Sequence, residues 1–217
     1  MARIGAAIGI AAEGVAISIA LAGLAIALVV IGLHALGLFV LVFGIAIAMF
    51  FRDPERFPAR TEGVVISGAD GKVTDVSEVE MPGAPGAKYR RVSVFMSPLN
   101  VHVNRAPVAG EVAMVEHTPG QFVAAYRDDA STHNERNLII FRDAAGRRHG
   151  IMQIAGYLAR RIVCRVHPHD QIEMGQRVGL IMFGSRVDHF IPPDYRVSVA
   201  VGERVLAGET VIGELAQ

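Results

Sequence analysis

From Gly14 to Phe51 the chain carries no charged side chain at neutral pH, and His34 is the only ionisable group in those 38 residues. No other feature restricts the fold as strongly. As helix, the stretch would run about 57 Å at ~1.5 Å per residue, against a hydrocarbon core of ~30 Å. One crossing leaves too much apolar chain over. Two short crossings fit, with the break near Gly32-Leu33-His34. The positive charges agree: Arg3 precedes the stretch, Arg52, Arg56 and Arg60 follow it, and the expected turn carries none. The positive-inside rule then places both ends in the cytoplasm. A secretory signal peptide has an apolar core of only ~7–15 residues. A single tilted span is the stronger rival, and it would put the following domain on the opposite side from the N-terminus. The charged, proline-punctuated run Arg52-Asp-Pro-Glu-Arg-Phe-Pro58 marks the boundary. The expected organisation is a membrane-associated helical segment over 1–52 and a second domain over 53–217.

Composition narrows what the second domain can do. Lys+Arg and Asp+Glu both number 21, so the electrostatic footprint of a nucleic-acid binder is missing. The single cysteine, Cys164, excludes an internal disulfide and a multi-Cys zinc site. Only Lys72 and Lys88 are lysines, which limits lysine-based chemistry such as a pyridoxal Schiff base. Short Val/Ile runs end at Gly or Pro around 63–68, 89–96, 110–115, 138–141, 150–154, 177–182 and 195–201, and predict a mainly β domain. Glycine spacing from Val201 to Gly213 predicts carrier-like, barrel-sandwich elements. A lipoyl or biotinyl carrier is excluded, because it needs a hairpin lysine and none follows Lys88. Gly83-Ala-Pro-Gly86 reads as a hairpin tip or mobile loop.

Three clusters could carry chemistry. Asp70, in Ser67-Gly-Ala-Asp-Gly-Lys-Val73, has the context of a turn former whose carboxylate bonds nearby backbone N–H groups. In Met96-Ser-Pro-Leu-Asn-Val-His-Val-Asn-Arg-Ala-Pro107, a strand would point His102 and Asn104 to one face. A lone histidine there reads equally as a satisfied structural residue. In Phe183-Gly-Ser-Arg-Val-Asp-His189, Gly-Ser alone reads as a turn. His167-Pro-His-Asp170 has a metal-ligand spacing on one strand face, but no second ligand cluster accompanies it, so no metal is expected. Asn134-Glu135-Arg136 reads as a hydrogen-bonded brace.

Taken together and in order, Asp-Gly, Ser-Pro-x-x-x-His with Pro five residues after the His, and Phe-Gly-Ser near the C-terminus resemble the phosphatidylserine decarboxylase proenzymes. Phe50-Phe-Arg-Asp-Pro-Glu-Arg56 after a hydrophobic segment is similar to the short bacterial and archaeal branch. So are Pro119-Gly-Gln-Phe122, His133-Asn-Glu-Arg-Asn137, Gln153-Ile-Ala-Gly156 and Gly175-Gln-Arg-Val-Gly179. The resemblance runs from about Phe50 to Leu215.

The resemblance implies a self-cleaving precursor. Ser185 attacks the carbonyl of Gly184 and turns the amide into an ester. β-Elimination then leaves dehydroalanine, which hydrolyses to a pyruvoyl group. Chains 1–184 and 185–217 stay associated. The covalent pyruvoyl cofactor forms a Schiff base with phosphatidylserine and accepts electrons as CO₂ leaves, giving phosphatidylethanolamine in phospholipid biosynthesis at the cell inner membrane. A glycine at 184 suits a strained turn. Asp70 matches the family Asp that orients the self-cleavage base, and His102 the family His associated with decarboxylation. Where longer bacterial forms have a second His, this chain has Arg105, whose guanidinium stays protonated. Either His102 serves both steps, or His117, His133, His149, His167, His169 or His189 does. Arg105 is then available for the lipid phosphate, or for a structural ion pair. The remaining alternatives are a pyruvoyl decarboxylase of another amine and an uncleaved membrane-anchored β-barrel that binds a partner.

Overall fold

Apolar residues on every side of the N-terminal stretch form two helices, α1 (Ala12–Val30) and α2 (His34–Phe50). They are joined at Ile31-Gly32-Leu33, where Gly32 takes φ +87°, a conformation that suits a residue without Cβ. The break falls where the sequence predicted it. The helices pack through small residues. A Cβ on Gly37 would stand 2.7 Å from Val29 Cγ2, one on Gly44 3.2 Å from Leu21 Cβ, and one on Gly14 would overlap Phe51. Small residues at such positions let helix backbones approach closely. An Ala11 N–H to Phe51 O bond of 2.7 Å closes the open end of the hairpin. Outward-facing Ile19, Val30 and Phe39 are all more than 60% exposed.

The computed structural model describes residues 9–120, 134–156, 161–182 and 185–216. The chain divides into two compact units, 1–55 and 56–217. The second is mainly β, as the strand patterning predicted. Its strands are β1 (Val64–Ile66), β2 (Gly71–Met81), β3 (Ala84–Met96), β4 (Val103–Arg105), β5 (Gly110–Thr118), β6 (Arg136–Arg142), β7 (Arg148–Ile154), β8 (Ile162–Cys164), β9 (Gln171–Ile172), β10 (Arg177–Ile181), β11 (Ser185–Ile191), β12 (Tyr195–Val197), β13 (Arg204–Val205) and β14 (Val211–Leu215). An eight-stranded sheet has the order β13-β2-β3-β11-β7-β6-β5-β9, and two three-stranded sheets have the orders β1-β14-β12 and β4-β10-β8. Every pairing is antiparallel.

Both faces of the large sheet are covered around β11, β7 and β6, which are buried along all or most of their length. Val94, Ile139, Phe141, Ile151 and Val187 point into the main core. The alternate residues Leu138, Ile140, Met152 and Phe190 meet Met81, Ala84 and Tyr89 on the other face. The β2–β3 hairpin supplies that cover by curling back after register shifts at Val73/Asp75 and Glu80/Met81; such irregularities bend a sheet. The turn at Pro82-Gly83 is therefore packed: a Cβ on Gly83 would lie 2.6 Å from Met114 Cε. Strand β3 already begins at Ala84, so the hairpin tip is shorter than the 83–86 loop the sequence suggested.

Ser185, in the stretch read as a turn, opens the longest of the wholly buried strands. All seven residues of β11 are buried. It holds two opposite charges two positions apart, and these neutralise one another: Arg186 Nη2 lies 2.9 Å from Asp188 Oδ2, and Nε lies 2.8 Å from Oδ1.

Candidate active site

Three of the sequence-selected residues each stand at the start of a strand, two of them in the large sheet. Ser185 opens β11, His102 precedes β4, and Asp70 precedes β2. Lys72, Phe95 and Arg186 lie side by side across β2, β3 and β11. Asp70 and Ser185 thus sit at the same strand ends, two strand spacings or about 10 Å apart. His102 lies beside the end of β10 in the β4-β10-β8 sheet, where the Ile181 N–H, four residues before Ser185 in sequence, donates to the His102 carbonyl at 3.3 Å. Gly184 and His133 lie outside the described residues.

Ser185 is fully buried on the inner face of the sheet, directly opposite Met96. Its hydroxyl has no hydrogen-bond partner among the described residues. An unsatisfied buried hydroxyl costs about 1–3 kcal/mol, and native structures carry few such groups.

A tight turn presents His102. Asn100 Oδ1 accepts from both the N–H and the hydroxyl of Ser97, at 2.9 and 2.8 Å, which locks Ser97-Pro-Leu-Asn100. The carbonyl of the same Asn100 lies 2.9 Å from His102 Nδ1. A carbonyl only accepts, so Nδ1 carries the proton and, in the neutral ring, the lone pair stands on Nε2.

Asp70 is engaged elsewhere. Arg56 grips it at 2.5 and 3.0 Å, and the Ala207 N–H donates to it at 2.8 Å. No imidazole among the described residues bonds to it. The pair ties the start of the domain to the loop before β14. Removing one member of a buried ion pair costs about 3–5 kcal/mol. Arg56→Met is therefore expected to lower the denaturation midpoint sharply, with Arg56→Lys intermediate because one of the two parallel bonds is lost.

Arg105, at 3% exposure, donates from Nη1 to the Gly175 carbonyl at 3.0 Å, and its N–H donates to the Gly68 carbonyl at 2.9 Å. A Cβ on Gly208 would lie 2.8 Å from Arg105 Cδ, so the arm is packed along its length.

Among the other histidines, His189 is distinguished by its setting. It lies on the same inner face as Ser185, but four residues along an extended strand, or about 13 Å. Nδ1 donates to the Val92 carbonyl at 3.1 Å and Nε2 accepts from the Gly68 N–H at 2.8 Å. Burial pushes its pKa from the ordinary value down to about 4, against the opposing pull of the Val92 carbonyl. It is a neutral clamp on the loop that leads to Asp70. The unfolded chain binds this proton near pH 6.5 and the folded chain only near pH 4. The clamp's stabilisation is thus complete above pH 6.5 and lost as the pH falls to 4. At 1.36 kcal/mol per unit this amounts to about 3 kcal/mol. Denaturation midpoints measured across that window should flatten in His189→Gln, which cannot titrate. Some slope should remain from His149, which burial also depresses.

The remaining histidines stand apart. His167 and His169 are exposed beside Asp170 and Glu111, and His117 pairs with Glu135 at 3.3 Å. Asn134 donates to the Ala155 carbonyl at 2.7 Å, bracing the start of β6 against the end of β7.

Comparison with known proteins identifies the family of the chain. The phosphatidylserine decarboxylase family profile matches residues 43–213. The chain is 48% identical over 174 residues to the phosphatidylserine decarboxylase proenzyme of Mycolicibacterium smegmatis, covering 79% of this chain and 75% of that one. It is 42% identical over 178 residues to that of Desulfotalea psychrophila, covering 82% and 83%. It is 45% identical over 181 residues to that of Anaplasma phagocytophilum, covering 83% and 80%. With the profile spanning most of the chain and identities of this size, the chain belongs to the phosphatidylserine decarboxylase family.

Proposed function

We propose that the protein decarboxylates phosphatidylserine to phosphatidylethanolamine, as a step of phospholipid biosynthesis, using a pyruvoyl group made from its own Ser185. The observation that carries this reading is the buried hydroxyl of Ser185, without a hydrogen-bond partner among the described residues, at the head of β11 in a chain of this family. A hydroxyl held out of water with no competing bond is poised as a nucleophile toward the acyl group on its own nitrogen. The position also fits the cofactor. The inner-face neighbours Met96 and Val94 exclude water, and burial in β11 keeps residues 185–217 attached after the backbone is cut. Once formed, the pyruvoyl ketone supplies an electrophile for the substrate amine and a sink for electrons, a task few side chains can perform. His102 serves as proton carrier through Nε2. Asp70, about two strands away, is a positioning residue for self-cleavage, acting through the Arg56–Asp70–Ala207 strap. Arg105 gives one of its five guanidinium N–H groups to the Gly175 carbonyl, so a lipid phosphate would be met by the others. Intact-mass measurement of protein from its native host should show two chains, 1–184 and 185–217, with the smaller blocked at its N-terminus. One uncut chain would overturn the reading.

The hydrophobic hairpin holds the enzyme at the inner membrane, in this reading, with the β domain on the cytoplasmic side. Its support is the composition of α1, which is long and apolar enough to cross a bilayer, and the outward-facing apolar side chains of both helices. Carbonate or high salt should leave the protein in the membrane fraction, because apolar burial is insensitive to screening. Deletion of residues 1–51 should release it.

A further inference from the structure

A row of three buried amides crosses the interior of the β domain and ends at a cavity. Asn137 Nδ2 donates to Gln153 Oε1 at 2.9 Å, and Gln153 Nε2 donates to Asn104 Oδ1 at 2.8 Å. The direction of the row is set at its inner end, where Asn104 Nδ2 lies 3.4 Å from the Gly68 carbonyl, a group that only accepts. The outer end is therefore an acceptor, Asn137 Oδ1, which has no hydrogen-bond partner among the described residues. Asn137 is only 2% exposed, yet it lines a cavity of about 290 Å³ between β5, β6 and β8. A buried amide oxygen without a donor costs free energy until a ligand or water supplies one. Bonds that donate in one direction polarise one another, so this oxygen is a stronger acceptor than that of an isolated amide.

The rest of the lining suits the same kind of guest. Val115, Ile162 and Val166 supply apolar walls. Cys164 gives its S–H to the Val166 carbonyl at 3.4 Å, which leaves only sulfur lone pairs. The two lining histidines each have a carboxylate beside them: Glu135 Oε1 lies 3.3 Å from His117 Nε2, and Asp170 Oδ2 lies 3.8 Å from His167 Nδ1. A carboxylate only accepts, so in the neutral ring His117 keeps its lone pair on Nδ1. No lysine or arginine is among the lining residues. Acceptors, neighbouring carboxylates and the lack of a fixed cation favour a ligand with N–H donors and a positive charge, and disfavour a carboxylate. We propose that the cavity binds a primary ammonium group on a short carbon chain, of the ethanolamine type, with Asn137 Oδ1 as its main acceptor. An ethanolamine head group is what the proposed reaction produces, whereas the serine head group carries the disfavoured carboxylate. Asn137, Gln153 and Val187 lie side by side, which puts Asn137 two strands across and two residues along from Ser185, about 12 Å over the sheet. The binding is therefore independent of the reading of Ser185 as the nucleophile.

Cys164 is the single cysteine of the chain, so its alkylation reports on the cavity it lines. The purified protein in detergent, treated with iodoacetamide and read by intact mass, should be alkylated more slowly as ethanolamine is added, with saturation. Serine, which carries a carboxylate, and choline, which has no N–H, should give little protection at the same concentration and ionic strength. Asn137→Leu should raise the ethanolamine concentration for half-protection about 10-fold or more, the typical weight of a hydrogen bond to a charged group. Val115→Phe fills the cavity and leaves Asn137 in place. It should abolish the dependence on ethanolamine, and it decides the matter if Asn137→Leu does not fold. Nanodiscs of phosphatidylethanolamine, beside nanodiscs of phosphatidylcholine, separate the sources of the amine. Protection by the first lipid but not the second assigns a lipid head group, and protection by free ethanolamine alone assigns a soluble amine. No protection by either, equal protection by choline, or protection that persists unchanged in a folded variant overturns the proposal.

Discussion

Ser185→Ala is expected to give a single 217-residue chain with no decarboxylase activity and a denaturation midpoint above that of the unconverted wild-type precursor. The three results belong together. Alanine has no oxygen to carry the acyl shift, so neither the break in the backbone nor the ketone can form. The stability gain follows from burial. The precursor's hydroxyl is sealed in the core without a partner among the described residues, and deleting it removes a desolvation cost of about 1–3 kcal/mol. A merely structural serine would behave in the opposite way, losing stability and leaving activity. Intact mass, CO₂ release and a denaturant titration on the same preparation test all three. Normal processing of Ser185→Ala would remove residue 185 from the mechanism.

Much of the architecture was legible because apolar side chains report it directly. The uncharged run from Gly14 to Phe51 announced a helical hairpin and located its turn at Gly32. The Val/Ile runs announced β3, β6, β7 and β10. What stayed hidden was β11, the strand that carries the nucleophile. Ser-Arg-Val-Asp-His-Phe-Ile contains two charges and a histidine, and resembles an exposed segment until the partners are known. Arg186 and Asp188 neutralise each other, and Val92 and Gly68 satisfy His189 from strands or loops nearly a hundred or more residues away. Local patterning cannot contain such pairings. Strand β2 was missed for a related reason: its polar positions alternate along a half-exposed hairpin that folds back on the sheet. In the site, sequence selected Ser185, His102 and Asp70 by family resemblance. It could not supply the Arg56 grip on Asp70 or the bond to Asp70 from the Ala207 N–H, 137 residues away, because local patterning marks neither partner.

His102→Ala is expected to be defective in both self-cleavage and decarboxylation. Arg105 cannot replace a base, and its guanidinium is committed to the Gly175 carbonyl. His189 has both ring nitrogens engaged and stands about 13 Å along the strand from Ser185. His102 stands beside the end of β10, four residues before Ser185 in sequence, with Nδ1 held by Asn100 so that Nε2 is the basic nitrogen. A missing general base or acid typically costs about 10²–10⁴-fold. His102→Ala precursor should therefore convert that much more slowly. The fraction that matures should turn over more slowly again when CO₂ release is normalised to cleaved chains. Asn100→Ala offers a milder companion. The carbonyl that holds Nδ1 belongs to the backbone and survives, but Ser97 loses its anchor, so the turn loosens and both rates should fall by a smaller factor. Wild-type conversion of a folded His102→Ala precursor would pass the first role to another group. Ordinary turnover per cleaved chain would remove the second.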